Sequence, residues 1–196
     1  MTTARMAATS ARRAALPVLA LVFLQACGNS EVADEPALEA AQALAVAQAP
    51  ELSIDANSFG CLTDMTAVRH FFVDNLLDDL EATVAVAEST DGGVYPPGTI
   101  VQLVPTEAMV KHPPGFSPAT HDWEFFELAV SAEGSSINTR GFGDVVNRFG
   151  GNCLDCHIKA EPAYDLICEL DHGCDPIPVT REQIAAVQAA DPRCAE

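Results

Sequence analysis

Apolar side chains between residues 64 and 88 recur mostly three or four positions apart. They are Ala67, Phe71, Phe72, Leu76, Leu77 and Leu80. Because this spacing places side chains on one face of a helix, it predicts one or two amphipathic helices over residues 64–88. Thr63 and Asp64 offer an N-cap, and the polar, glycine-containing stretch 89–93 ends the pattern.

Three shorter segments in the middle of the chain have the composition of β-strands. They are residues 99–104, about 122–130 and about 136–140. β-branched and aromatic residues recur in these segments, and turn residues separate them, as in an antiparallel sheet. Together with the predicted helices, they favour an α+β fold, namely an antiparallel β-sheet domain with N-terminal helices.

The first 26 residues have the features of an export signal. Three arginines and no acid accompany an apolar run that is too short to span a membrane comfortably. The segment ends in Leu24-Gln25-Ala26-Cys27, which resembles a bacterial lipobox. We therefore predict a periplasmic lipoprotein that is anchored to the membrane by a lipid on Cys27. Gln25 is unusual in a lipobox, so cleavage without lipidation is one alternative, and an uncleaved anchor helix is another.

The rest of the chain divides into a tether and one domain. Residues 27–57 are rich in Ala, Glu and Asp and have no aromatic side chain, which is typical of a flexible linker. Residues 58–196 then remain for one domain with a single core.

The charge of the chain limits its partners. The 28 acidic and 10 basic side chains give a net charge of −18, and removal of residues 1–26 with their three arginines leaves 7 basic side chains and a net charge of −21. So acidic a chain is not expected to bind nucleic acid, whose phosphates require cations. The charge favours a partner protein with a basic face, with an association that weakens as salt rises.

The most specific motif in the chain is Cys153-Leu154-Asp155-Cys156-His157. The pattern C-x-x-C-H is that of covalent haem attachment, in which two thiols join the haem and the following imidazole binds its iron. A zinc site or a thioredoxin-like pair is the alternative, but no second cysteine pair has ligand spacing, and the chain is predicted to be exported. The motif thus predicts one covalent haem c.

Seven cysteines are then accounted for. Cys27 is assigned to lipid and two cysteines to haem, which leaves four in an oxidising compartment. These four, which allow three connectivities, are Cys61, Cys168, Cys174 and Cys194. The favoured pairing is Cys168–Cys174 as a short loop and Cys61–Cys194 as a link between the first and last segments of the domain.

Four segments together resemble the cytochrome P-460 and cytochrome c′-beta family. They are Tyr95 to Thr99, Asp122 to Phe126, Cys153 to His157 and Ala163 to Leu166, and the resemblance covers about residues 85–170. It implies a mainly antiparallel β fold, often dimeric, with a five-coordinate haem c that handles small nitrogen species. One branch of the family oxidises hydroxylamine, and the other binds nitric oxide.

The resemblance assigns residues only in part. It implies thioether bonds at Cys153 and Cys156 and the proximal iron ligand at His157. The oxidising branch also has a lysine on a strand that cross-links to the porphyrin, but this chain has Gln102 and Leu103 near that place. Lys111 is the sole lysine before the haem motif and thus the sole candidate for such a cross-link on that side, but its register does not match that of the family.

Several residues are candidates for the distal side of the haem. Met109 and His112, in a segment that we interpret as a loop, are the main candidates for a distal ligand. Weaker candidates are His70, His121 and His172. A polar distal pocket is predicted from Glu124, Glu127 and Arg140, and an apolar porphyrin wall from Phe125, Phe126, Phe142 and Phe149.

Two functions follow from these features of the sequence. The first is a membrane-anchored cytochrome that transfers electrons to or from a redox partner protein or binds a small gaseous or nitrogenous ligand such as nitric oxide. The second is an enzyme that oxidises hydroxylamine or a related small molecule. The lack of a lysine at the cross-linking position favours the first.

Overall fold

A computed structural model describes residues 52–147, 150–169 and 171–194. Within them, six strands form one antiparallel sheet in which each strand pairs with the next along the chain. The strands are β1 (Thr66–Val68), β2 (Phe71–Asn75), β3 (Thr99–Gln102), β4 (Glu107–Lys111), β5 (Trp123–Ser131) and β6 (Gly134–Gly141).

One α-helix interrupts the run of strands between β2 and β3, and two follow β6. They are α1 (Leu80–Glu88), α2 (Cys153–His157) and α3 (Arg181–Ala189). None of these helices of the described segments is long and apolar enough to cross a membrane. The fold is therefore α+β with an antiparallel sheet, as predicted. The predicted signal segment, Cys27 and residues 27–51 of the tether lie outside the described residues.

The helical prediction for residues 64–88 is wrong in its first half. Residues 66–75 form the β1–β2 hairpin, and the helix covers only residues 80–88. In β2, burial alternates strictly, with Phe71 and Val73 buried against the core, which is the period of a strand. The strands, the turn and the helix follow one another closely, so their apolar residues taken together have the three- and four-residue spacing of a helix.

Two apolar clusters cover the two faces of the sheet. The helical face packs against α1, α2 and residues 166–167. Its buried strand residues are Val68, Phe71, Val73, Val101, Met109, Trp123 and Phe125. The N-terminal face contacts the chain before β1, and its buried members are Phe59, Ile100, Ala108, Val110, Phe126 and Leu128. Leu52 and Ile54 also pack there, so the packed domain includes residues that were assigned to the tether.

Two disulfide bonds close the domain. Cys61–Cys194 joins its first and last segments, and Cys168–Cys174 closes a short loop after α2. Of the three connectivities that four cysteines allow, this is the pairing that was favoured from the sequence. Cys153 and Cys156 have free thiols.

Candidate functional site

The C-x-x-C-H motif forms the short helix α2, which is attached to the preceding loop by hydrogen bonds. The Asn152 side chain caps the helix, since its Oδ1 accepts from the Asp155 N–H at 3.0 Å and its Nδ2 donates to the Gly143 carbonyl at 2.7 Å. The Cys153 N–H donates to the Val145 carbonyl at 3.1 Å. Both motif thiols therefore lie on a single helical turn whose position the loop fixes.

The Cys153 thiol differs from that of a reactive cysteine. The pKa of Cys153 is raised to about 11, mainly by burial. The charges of Glu107 and Glu127 and the neighbouring Cys156 add to this shift. Thioredoxin-like and zinc-binding cysteines act as thiolates and have lowered pKa values. Over the described ranges there is also no group of three or more His, Cys, Asp or Glu side chains arranged to hold a metal ion. The raised pKa disfavours the thioredoxin-like alternative for this pair.

The imidazole of His157 is held in one orientation. Its Nδ1 lies 2.7 Å from the Leu166 carbonyl oxygen. Because a carbonyl only accepts, Nδ1 carries the proton, and Nε2 keeps its lone pair in the neutral ring. Burial lowers the pKa of His157 and thus favours this neutral form, although the hydrogen bond opposes the shift. The ring centroid lies 5.5 Å from that of Phe125 on the helical face.

A tight turn presents the Leu166 carbonyl to His157. The Ile167 N–H donates to the Tyr164 carbonyl at 2.9 Å, and the two residues between them, Asp165 and Leu166, have φ values of 49° and 65°. Non-glycine residues seldom adopt this left-handed conformation. The Trp123 indole N–H donates to the Asp165 carbonyl at 2.8 Å and so ties the turn to β5.

Lys111 forms a buried ion pair with Asp165. Its Nζ lies 2.9 and 2.7 Å from the two carboxylate oxygens, donates to the His121 carbonyl at 2.6 Å, and lies 5.1 Å from the centroid of the Trp123 ring. Lys111 is the one lysine that precedes the C-x-x-C-H motif, and its amine is bound by the Asp165 carboxylate and the His121 carbonyl. The residues near the expected cross-linking position are packed differently: Gln102 donates to the carbonyls of Pro105 and Glu107.

The structure separates the two main candidates for a distal ligand. Met109 is buried on β4 in the helical-face cluster, which also includes Cys153. His112 follows β4 and points to the opposite face, where its Nε2 lies 2.8 Å from Glu124 and its ring stacks on Phe116 at 3.4 Å. The interpretation of this segment as a loop is wrong for residues 109–111, which end β4, and is right from His112 onward. Met109 thus shares the face of His157, and His112 does not.

The predicted polar pocket is also divided. Arg140 donates to Glu124 at 2.6 and 2.7 Å beside His112, away from the helical face, whereas the charge of Glu127 acts on Cys153. Of the weaker candidates, His172 stacks on Tyr164 and His121 is half exposed.

The predicted porphyrin wall is only partly assembled. Phe125 lies next to His157, Phe126 packs against Phe59 on the N-terminal face, and Phe142 is partly exposed against Phe116. Phe149 lies outside the described residues.

Glu124 makes the stability of the N-terminal face dependent on pH. Burial raises the pKa of Glu124, but hydrogen bonds from His112 and Arg140 outweigh it and hold this pKa below its ordinary value of 4.5. The resulting stabilisation is therefore complete above pH 4.5 and is lost as pH falls through the folded-state pKa. We expect Glu124→Gln to lower the free energy of unfolding by about 1–3 kcal/mol at pH 7 and by less at pH 3.

Urea unfolding at the two pH values measures this difference. Glu81→Gln, at an exposed carboxylate on α1, is the control and is expected to change little at either pH. An equal loss at pH 7 and pH 3 for Glu124→Gln would contradict the assignment.

Large apolar side chains are exposed at the two ends of α2 and, farther from it, beside His112. Phe116, Phe142, Val146 and Ile158 are each 39–57% exposed, and we call them the apolar rim. Phe116 and Phe142 contact each other, Val146 bridges to the N-cap residue Asn152, and Ile158 caps the end of α2. Exposed apolar groups around a motif of this kind are typical of a surface that another molecule covers.

Sequence patterns did not identify the groups that orient His157. The Leu166 carbonyl has no side-chain signature, and Lys111 and Asp165 are 54 residues apart. The one indication was a single charge within an apolar stretch in each case, AMVK and AYDLI. Comparison with protein-family models, with curated proteins and with solved structures finds no match for the chain.

Proposed function

We propose that this protein is an exported, membrane-anchored c-type cytochrome that holds one covalent haem and serves electron transfer or the binding of small nitrogen species such as nitric oxide. The observation that carries the proposal is the arrangement of α2. Two free thiols and an imidazole whose Nε2 keeps its lone pair lie on one short helix, and the other ring nitrogen donates to a fixed carbonyl. A hydrogen bond from the second ring nitrogen is usual for histidines that bind metals.

The cysteine chemistry of the domain supports haem attachment. The other four cysteines of the described segments form two disulfide bonds, which leaves the motif pair as free thiols. Cys153 and Cys156 would form the thioether bonds, and His157 would bind the iron. Haem bound there would supply an iron that exchanges one electron and accepts a small ligand.

The apolar surroundings suit the same group. Phe125, beside His157, and the two rim members next to α2, Val146 and Ile158, offer side chains that a porphyrin would shield from water. Met109 lies on the same face of the sheet as His157 and is the better placed of the two main distal candidates. Its thioether is a weak ligand that would leave room for an exogenous one.

Surface charge supports a partner with a basic face. Five basic side chains of the described segments form ion pairs with acids: Arg69 with Glu169, Lys111 with Asp165, Arg140 with Glu124, Lys159 with Asp175, and Arg193 with Asp191. Because acidic residues outnumber basic ones by 18 in the whole chain, most of the remaining charged groups are carboxylates. Such a surface attracts a basic protein at low salt.

Hydroxylamine oxidation is the less favoured function. In the resembling family that chemistry accompanies a lysine cross-linked to the porphyrin. In this chain the Lys111 amine is bound by the Asp165 carboxylate, and Gln102 and Leu103 replace the lysine of the family.

An optical spectrum of the purified protein, produced in a cell that attaches haem c, tests the proposal. We expect haem that stays with the polypeptide after acidic organic extraction, a Soret band of ordinary c type, and a spectral change on adding nitric oxide to the ferrous protein. A strongly red-shifted ferrous band would favour the oxidising enzyme instead. Haem that is fully extracted would overturn both functions.

A further inference from the structure

We propose that Lys111 and Asp165 are positioning residues for His157. Their ion pair fixes the turn from Tyr164 to Ile167, and this turn keeps the Leu166 carbonyl on the Nδ1–H of His157. This inference rests on the proposed function, because it concerns the properties that His157 would give to a bound haem. Neither residue touches the cofactor-binding atoms of the motif.

The first link is the pair itself, which is shielded from water. The exposed fractions of the Lys111 and Asp165 side chains are 6% and 3%. The carboxylate accepts from Lys111 with both oxygens and from the Tyr95 backbone N–H at 3.0 Å. His121 is the other titratable group close to it, with Nδ1 3.5 Å from the carboxylate. A buried carboxylate with this many donors has one position.

The second link is the backbone that carries the carboxylate. Asp165 and Leu166 are consecutive residues with positive φ, a conformation that costs free energy for residues with a Cβ and persists only where the surroundings enforce it. Here the surroundings are the Lys111 ammonium on the Asp165 side chain and the Trp123 indole on the Asp165 carbonyl. Both come from neighbouring strands, so the sheet itself sets the direction of the next carbonyl, that of Leu166.

The third link is the hydrogen bond at 2.7 Å between His157 Nδ1 and Leu166. Donation from the far nitrogen of a metal-binding histidine fixes the ring and increases its basicity. A more basic axial ligand favours the oxidised metal, so the strength of this bond affects the reduction potential. Lys111 and Asp165 would thereby act on a bound iron through a carbonyl and not through contact.

The variant Asp165→Asn tests the link. Asparagine has nearly the same shape, tolerates the left-handed conformation and keeps an oxygen acceptor, but it removes the charge. We expect haem to stay covalently attached, the reduction potential to shift to more positive values, and the iron–histidine stretching band in the resonance Raman spectrum of the ferrous protein to shift to lower frequency. Both shifts report a weaker hydrogen bond on His157.

Asp191→Asn is the matched control. Asp191 is likewise a buried carboxylate paired with a cation, Arg193, but it holds the Leu62 N–H near the N-terminal face. We expect this variant to lose stability without a shift in potential or in the Raman band. If both variants shift the band equally, or if Asp165→Asn shifts neither quantity while haem is attached, the inference is wrong.

A second variant covers loss of folding. If Asp165→Asn does not accumulate, the double variant Lys111→Gln with Asp165→Asn takes its place, because it leaves no unpaired buried charge. The reduction potential and the iron–histidine Raman band of this variant then test the inference. Absence of covalent haem from the unmodified protein is a different result, since it would overturn the proposed function.

Discussion

Covalent haem is expected to fall to background when Cys153 and Cys156 are both replaced by alanine. Each thioether bond requires a thiol sulfur, and these two residues carry the free thiols among the described cysteines. The remaining cysteines of those segments are paired in disulfide bonds and cannot substitute. The measurement is haem-dependent peroxidase staining of the protein after denaturing electrophoresis, normalised to the amount of polypeptide.

A variant on the same helix controls for damage to α2. Asp155 lies between the two cysteines, its side chain is exposed, and its backbone makes the N-cap hydrogen bond. Asp155→Ala should therefore keep the full haem stain. Haem that remained on the double cysteine variant through electrophoresis would show that the motif is not the attachment site.

Loss of the Cys61–Cys194 bond is expected to remove about 5 kcal/mol from the free energy of unfolding in the chain-entropy description of disulfides. The bond links residues 133 positions apart, so it restricts most of the domain in the unfolded chain. Total stabilities of domains are about 5–15 kcal/mol, which makes this a large fraction. Urea unfolding of the variant Cys61→Ala with Cys194→Ala measures the loss.

The second disulfide provides the comparison. Cys168 and Cys174 are only 6 positions apart, and the same description gives about 2 kcal/mol for their bond. The variant Cys168→Ala with Cys174→Ala should therefore be clearly the more stable of the two. A larger loss from the short loop than from the long one would contradict the assignment of stability to chain restriction.

The sequence predicts best where a local pattern and its tertiary surroundings agree. β5 is rich in aromatic residues that pack on both faces, and its boundaries were predicted to within one residue. The stretch 66–75 was misassigned because Phe71 and Phe72 fit a helical period as well as a strand, and only pairing with β3 distinguishes the two. Pairing between distant segments is not encoded in local spacing.

The candidate site likewise has a part that follows from local sequence and a part that depends on tertiary structure. The C-x-x-C-H motif is contiguous in sequence and needs no tertiary information, whereas the group that orients His157 is a backbone carbonyl. Met109 and His112 are three residues apart and were treated as one loop; in the structure, a strand directs them to opposite faces. Lys111 was considered for a cross-link because it is the sole lysine before the C-x-x-C-H motif; its buried partner, Asp165, is 54 residues away and could not be predicted from local sequence.

The Cys61–Cys194 bond also has a consequence for biogenesis. In a chain that is exported with its N-terminus first, Cys61 emerges before Cys153, Cys156, Cys168 and Cys174, and its partner Cys194 emerges after all of them. Oxidation in order of emergence would therefore join Cys61 to a haem-attachment cysteine. Production of such an exported chain would thus require that Cys61 stays reduced, or that its disulfide bond is reshuffled, until the last segment has crossed the membrane.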